Sequence, residues 1–353
     1  MRILLRLLLA GTSFLYADGL VVPPVNYTGS LNEKAQEAIL IFFSGTEKEP
    51  SLQDLILKIT VEGEARNFGW LVPLPAEPRS GKEDAALFHE LHQYVQSRTR
   101  PPSKPKKNTF GDAASGAVKA AVTPAVEVLE RKVVGSYDLA IVREHQAGAL
   151  KGWLQENQFQ VPEQSDDLIA FYREKQYVFA CMKVSDVVLQ KDQAVDLHPI
   201  RFSFSSGGRD GIFFPMRMTG LQKEPFDINL YVFYDKWINN DLSPYGFVHR
   251  GFNLRWRDFD SRDCTPNAGK SWSAPQTDPY LASYARRLPN VTQLMQKLHP
   301  GKTFYLTNLY AKRLEPTSVL DWSDDLWLFP FYADRDFVPF DARKGGPAMY
   351  GYP

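Results

Sequence analysis

Asp227-Ile228-Asn229-Leu230-Tyr231-Val232-Phe233-Tyr234 decides the fold class of this chain. Ile228, Leu230, Val232 and Tyr234 alternate with Asn229, Tyr231 and Phe233. A period of two places the two sets on opposite faces of an extended strand. The same reading, worked outward, predicts strands at 36–43, 54–62, 67–72, 177–186, 199–205 and 212–218, and a pair within 125–143 that turns near Gly135-Ser136, while 303–310 and 326–332 are two further apolar stretches. Leu87, Phe88, Leu91, Tyr94 and Val95 instead recur at helical spacing and predict a helix over 84–97. Further helices are expected around Ala147–Leu154, after Ser165 as N-cap, and near 280–298. Strands and helices mix without strict alternation, which predicts an α+β fold with a mixed or antiparallel sheet and a few packing helices.

The N-terminus reads differently. Arg2 and Arg6 punctuate an apolar run, Ile3 to Leu15, that is followed by Ala17. This is the pattern of a secretory signal over 1–17, too short to span a bilayer as a helix. Cleavage is expected at Ala17–Asp18, and the protein is read as exported, periplasmic or secreted. Of the 353 residues, 44% are hydrophobic and 23% charged, as in a globular protein. Lys+Arg and Asp+Glu stand at 41 each, so loss of Arg2 and Arg6 leaves 39 against 41. Such a balance predicts no nucleic-acid partner. After the signal, Ala38-Ile39-Leu40-Ile41-Phe42-Phe43 is the longest pure apolar run and is of strand length, so no integral membrane segment is expected.

Composition divides the remainder into 18–240, interrupted by a mobile segment at 98–124, and an aromatic-rich region at 241–353 that packs on the same core or beside it. The interruption opens with Arg98 to Lys107, which holds five basic residues, three prolines and no acid. Proline blocks regular structure there and the like charges repel. The Gly/Pro/Tyr tail at 345–353 is expected to fray. Only two cysteines occur, Cys181 in a strand-like run and Cys264 in a polar loop, and they allow one intramolecular pairing.

Several residues carry a resemblance. Gly135-Ser136-Tyr137-Asp138, Ala149-Leu150-Lys151-Gly152-Trp153-Leu154, Asn157-Gln158-Phe159, Tyr177-Val178-Phe179, His198-Pro199-Ile200 and Phe214-Pro215-Met216-Arg217-Met218-Thr219 are among them. With Phe68-Gly69-Trp70-Leu71-Val72-Pro73-Leu74-Pro75 they resemble the uncharacterised bacterial exported family known as domain of unknown function 2330. The likeness covers 36–97 and 125–236 and implies a bacterial source and export, but no activity. Members of that family often carry cysteines just after the signal, where this chain has none.

Candidate chemistry is sparse. His89 and His92 are three apart, not the four that place two imidazoles of a zincin on one helix face. Gly269-Lys270-Ser271 lacks the earlier glycine of a phosphate loop, because Cys264 holds its position. Ser205-Ser206-Gly207-Gly208 lacks the spacing of a nucleophile elbow. Asp258, Asp260 and Asp263 form a weak metal candidate of the calcium-loop type, with Arg255, Arg257 and Arg262 at hand to neutralise them. Trp256, Trp272, Trp322 and Trp327, flanked by Arg and Asp, suit a sugar platform or a core. No cofactor is expected.

Arg201 and Arg217 form the strongest pattern. If 207–211 closes a hairpin between 199–205 and 212–218, Phe204 faces Phe214, Phe202 faces Met216, and Arg201 lies opposite Arg217. Like charges across a strand pair repel unless an acid intervenes. That acid is either internal or an anionic group of a ligand or partner. These readings lead to a non-enzymatic, envelope-associated binding or interaction protein with an unidentified envelope component or protein as partner. The alternatives are a hydrolase of envelope polymers using a carboxylate pair about 5–9 Å apart, and a purely structural envelope protein.

Overall fold

The computed structural model describes residues 19–29, 31–46, 49–99, 125–162, 164–185, 187, 189, 193–205, 211–222, 224–234, 238, 252–257, 272–273 and 288–329. The expected signal, residues 100–124 of the basic segment, Asp258, Asp260, Asp263, Cys264, Gly269–Ser271 and the C-terminal tail lie outside them.

The larger of two packed sheets is nine-stranded. Its order is β13 (Asn253–Arg257), β15 (Thr303–Leu314), β12 (Phe226–Tyr234), β2 (Leu31–Phe43), β3 (Leu52–Gly63), β10 (Ile200–Ser205) and β5 (Arg79–Lys82). β14 (Trp272–Ser273) adds to β15, and β9 (Ala194–Asp196) adds to β3. β12 and β2 run parallel, while their other partners are antiparallel. The smaller sheet orders β1 (Leu20–Val22), β4 (Phe68–Leu74), β8 (Val178–Val184), β7 (Tyr137–Glu144) and β6 (Val126–Val134). β11 (Ile212–Phe214) pairs with β16 (Leu326–Leu328) apart from both. The fold is α+β with mixed and antiparallel sheets.

Alternation explains the layering. On β2, Ala38, Leu40 and Phe42 enter the core between the sheets, where they join Trp70, Leu139 and Met182. Ile39 and Ile41 point the other way, to α1 (Ala86–Thr99) and α4 (Pro289–Leu298). Both faces of this sheet are therefore dry, and each large side chain fully removed from water contributes about 1.5–3 kcal/mol. α1 presents Leu87, Phe88, Leu91, Tyr94 and Val95 to that second core. Its Glu90 carboxylate accepts the backbone N–H groups of Asn290 and Val291, at 3.0 and 3.1 Å. These first-turn donors of α4 have no partner within the helix, so an acid on α1 fixes where α4 begins.

On the far side, α2 (Ala149–Glu156) and α3 (Ser165–Glu174) cover part of the outer face of the smaller sheet. Tyr172 meets Phe179 edge-on at 5.8 Å. Helix, sheet, sheet and helix follow in order.

Three expectations change. Residues 200–205 and 212–218 form no hairpin: β10 lies between β3 and β5, β11 pairs with β16, and Arg217–Leu221 is a 3-10 turn. Ser165 does not cap α3, because its hydroxyl donates to Pro162 O at 2.6 Å and Gln164 holds the cap position. α1 continues through Thr99, into the first residues assigned to the mobile segment.

Candidate functional site

Arg201 is held by two carboxylates. Its cross-strand neighbours are Ile56 and Gly81, not Arg217. Its Nε donates to Glu83 Oε1 at 2.7 Å and its Nη1 to Asp54 Oδ1 at 3.1 Å. Ser203, two residues along the same face of β10, donates its hydroxyl hydrogen to Asp54 and accepts from Arg201. The other oxygen of Asp54 lies 2.7 Å from His299 Nε2, and His299 stacks edge-on to Phe304 at 5.3 Å. A carboxylate only accepts hydrogen bonds, so that imidazole nitrogen carries the hydrogen. Burial pushes the Asp54 carboxyl up, but the bonds from His299 and Ser203 and the Arg201 charge outweigh it and hold the group below the usual carboxylate range.

Ser, His and Asp therefore meet here in the wrong order for nucleophilic catalysis. A triad places the imidazole between serine and acid, so that it can take the serine proton. In this site the acid lies between Ser203 and His299, and its lowered basicity suits a fixed charge. The arrangement joins β3, β10, the β5–α1 link and the end of α4.

Arg217 sits elsewhere. Its guanidinium carbon lies 4.3 Å from the ring centre of Phe171, over which Lys175 Nζ also stands at 4.5 Å. Its backbone N–H and that of Met216 donate to Asp325 Oδ1, at 2.9 and 2.8 Å, as does the Tyr172 hydroxyl at 3.0 Å. Asp325 is buried, and desolvation pushes its carboxyl up to about 6 against the pull of these donors. The carboxylate pins the 3-10 turn, which explains why Met216 and Arg217 leave the strand path.

His89 and His92 each meet a glutamine one turn on, Gln93 and Gln96. No three metal-ligating side chains gather among the described residues. Trp327 is buried against Phe213 at 5.2 Å, and Trp322 is half-buried against the same core. The side chains of Trp256 and Trp272 are outside the described residues. Cys181 is a buried free thiol whose pKa burial raises well above its ordinary value, so it behaves as a small hydrophobe.

Cys181 also floors a cleft that sequence reasoning did not find. On the outer face of the smaller sheet, Leu71, Ala140 and Cys181 lie side by side across β4, β7 and β8. Trp153, Leu154 and Phe159 rise beside them, and Arg131, Asp138 and Lys183 form a charged rim. The space between these side chains, counted with the open solvent at its mouth, is about 380 Å³.

Local structure sets each wall. α2 ends at Asn157, whose side-chain amide donates to Trp153 O at 2.8 Å. The chain then reverses through Gln158 at φ 71°, and Phe159 N–H returns to Leu154 O at 2.9 Å. Backbone bonds from Val25 to Gln158 and from Gln160 to Pro23, both 2.9 Å, tie this turn to the N-terminal segment. Gly69 admits the close approach, because a Cβ there would lie 2.6 Å from Val22 Cγ2 and 3.2 Å from Phe159. The signal for this site was present in Trp153, Asn157 and Phe159, but the other parts come from strands far away in sequence.

No curated protein matches the sequence of this chain. The solved structure of baculovirus P35 is similar over 86% of this chain and 98% of its own, at 9% identity and a TM-score of 0.40. The sequence profile of the bacterial family described as "Uncharacterized protein conserved in bacteria", domain of unknown function 2330, matches residues 46–321. The match thus runs on past 236, through β13, β15 and α4. The chain belongs to this family.

Proposed function

We propose that this protein is an exported, envelope-associated binding module whose ligand site is the cleft between α2 and the outer face of the smaller sheet. The cleft carries the reading. It offers an apolar floor, two aromatic walls and a few charged groups at the rim, the composition from which small-molecule sites are built. Export rests on the basic and apolar N-terminal segment, and a periplasmic or secreted location follows from it. A binding role without catalysis draws support from the Asp54 network, whose acid is already saturated by Arg201, Ser203 and His299. An acid so engaged, and held below the usual carboxylate range, is a weak base for a substrate proton.

The test is a thermal-shift screen of the purified protein and its Ala140→Phe variant against envelope-derived small molecules. A ligand at 100 times its Kd stabilises the fold by about 2.7 kcal/mol, a shift of a few degrees for a chain of this size. The reading expects ligands that raise Tm of the unsubstituted protein and leave the filled-cleft variant unmoved. Equal shifts in both proteins, or no shift with any compound, would overturn it.

A further inference from the structure

β1 begins in the interior rather than at the surface. Gly19 and Leu20 are both buried, and Val22 is 1% exposed. Leu20, Val21 and Val22 pair with Leu71, Trp70 and Gly69, which closes the edge of the smaller sheet at β4. Position 19 requires glycine, because its φ is 83° and a Cβ would lie 2.5 Å from Trp70 Nε1 and 3.0 Å from Leu71 O. Its N–H donates to Thr219 Oγ1 at 3.0 Å, across 200 positions of sequence. Thr219 is itself buried, in the 3-10 turn that Asp325 pins. The same hydroxyl accepts from Gln36 Nε2 at 3.3 Å, while Gln36 Oε1 is buried and accepts from no described atom. A buried acceptor left open destabilises the fold, and a donor beside it removes that cost.

Resting on the export reading proposed above, we infer that cleavage at Ala17–Asp18 closes the fold, the new chain end supplying Gln36 Oε1 with a donor and letting β1 seat. The cut adds one water across the peptide bond and leaves a carboxylate on Ala17 and an ammonium on Asp18. One residue then precedes Gly19, so the ammonium lies within about 4 Å of the Gly19 nitrogen. A chain still joined to residues 1–17 has no such donor, and must run out past the dry contact among Gly19, Trp70 and Thr219. While β1 is unseated, Leu20 and Val22 lack their places in the core and the edge of β4 stays open. Their burial is worth at least about a hundredfold in the folding equilibrium. A chain kept loose in this way suits passage across a membrane before folding.

Hydrogen exchange read by mass spectrometry over residues 19–25 tests this in three proteins. One begins at Asp18, one carries a short Gly/Ser extension before Asp18, and one carries the same extension after Pro353. The expected result is slow exchange in the first and third, and exchange at least about tenfold faster in the second, with a urea midpoint lowered in that protein alone. Failure of the second protein to fold while the third folds supports the inference as well. Gln36→Leu should narrow the difference between the free-ended and N-terminally extended proteins, and a difference it leaves unchanged overturns the ammonium contact. Equal protection of 19–25 in all three proteins, or rapid exchange in all three, overturns the inference. Amino-terminal sequencing of the exported protein separates the two readings. A start other than Asp18 overturns the cut and this inference together, whereas a start at Asp18 with equal exchange overturns this inference alone.

Discussion

Asp54 and His299 stand 245 positions apart in the chain, yet their side chains meet at 2.7 Å where each is almost wholly removed from water. The contact fastens the end of α4 to the middle of the larger sheet. Removing one partner of such a buried pair costs about 3–5 kcal/mol, because the other is left charged or unpaired without solvent. Asp54→Ala and His299→Ala should each destabilise by this order in urea unfolding, and the double variant should fall well short of their sum. Additive losses would show that the two residues act independently.

Asp325 predicts a pH dependence of the opposite sign to most acids. Its pKa rises from 3.8 to about 6 on folding, so between those values the folded chain holds a proton that the unfolded chain has released. Stability therefore falls as pH rises from 4 to 6, by an amount on the order of 3 kcal/mol. The unfolding free energy of the unsubstituted protein minus that of Asp325→Asn should fall across this window and level off above it. A flat difference would contradict the assignment.

Gly135 and His198 form a tight junction between the β6–β7 turn and the approach to β10. Gly135 has φ 61°, and a Cβ there would lie 2.2 Å from His198 Nε2, the atom that accepts Ser136 N–H at 2.9 Å. Gly135→Ala therefore combines backbone strain with a collision, and should cost more than the ~1 kcal/mol of strain alone. Tm of the variant measures it.

The same histidine gives a second pH signal. Burial, with Lys82 nearby, lowers the His198 pKa below 6.5 and favours the neutral ring that accepts from Ser136. The unfolded chain then takes up this proton first as pH falls, so stability declines from 6.5 downward through the folded value. His198→Gln should remove this component of the slope, as read from urea midpoints across pH 5 to 8.

Cys181 should resist alkylation in the native state, since a buried thiol with a raised pKa presents little thiolate. Iodoacetamide labelling at this residue, followed by peptide mass, should be slow in buffer and fast in urea. Equal rates would mean that the floor of the cleft is open to solvent.

Periodicity made the strands and the helix faces legible. Ile228 to Tyr234 lies in the middle of the larger sheet, and the α1 stripe from Leu87 to Val95 packs as its spacing requires. What periodicity lacks is the identity of a strand's partner. Phe202, Phe204 and Phe214 alternate as a hairpin would, but β10 found partners in β3 and β5, both distant in sequence. The turn at Met216 depends on Asp325, more than a hundred residues away, and Pro215 has no N–H to prolong a ladder. Arg201 stands out as a charge in an apolar strand, whereas no pattern in the sequence marks Asp54 or His299. The cleft was hidden for the same reason, because its floor, walls and rim come from β4, β7, β8, β6 and the end of α2.

The most direct test is the indole N–H signal of Trp153 in a two-dimensional nitrogen–proton NMR spectrum, assigned with Trp153→Phe and followed during titration with a compound that raises Tm in the thermal-shift screen. The account predicts that this signal shifts saturably while that of Trp327, which lines no part of the cleft, stays in place. A Trp153 signal that does not move, or that moves no more than the others, would contradict the cleft as the binding site.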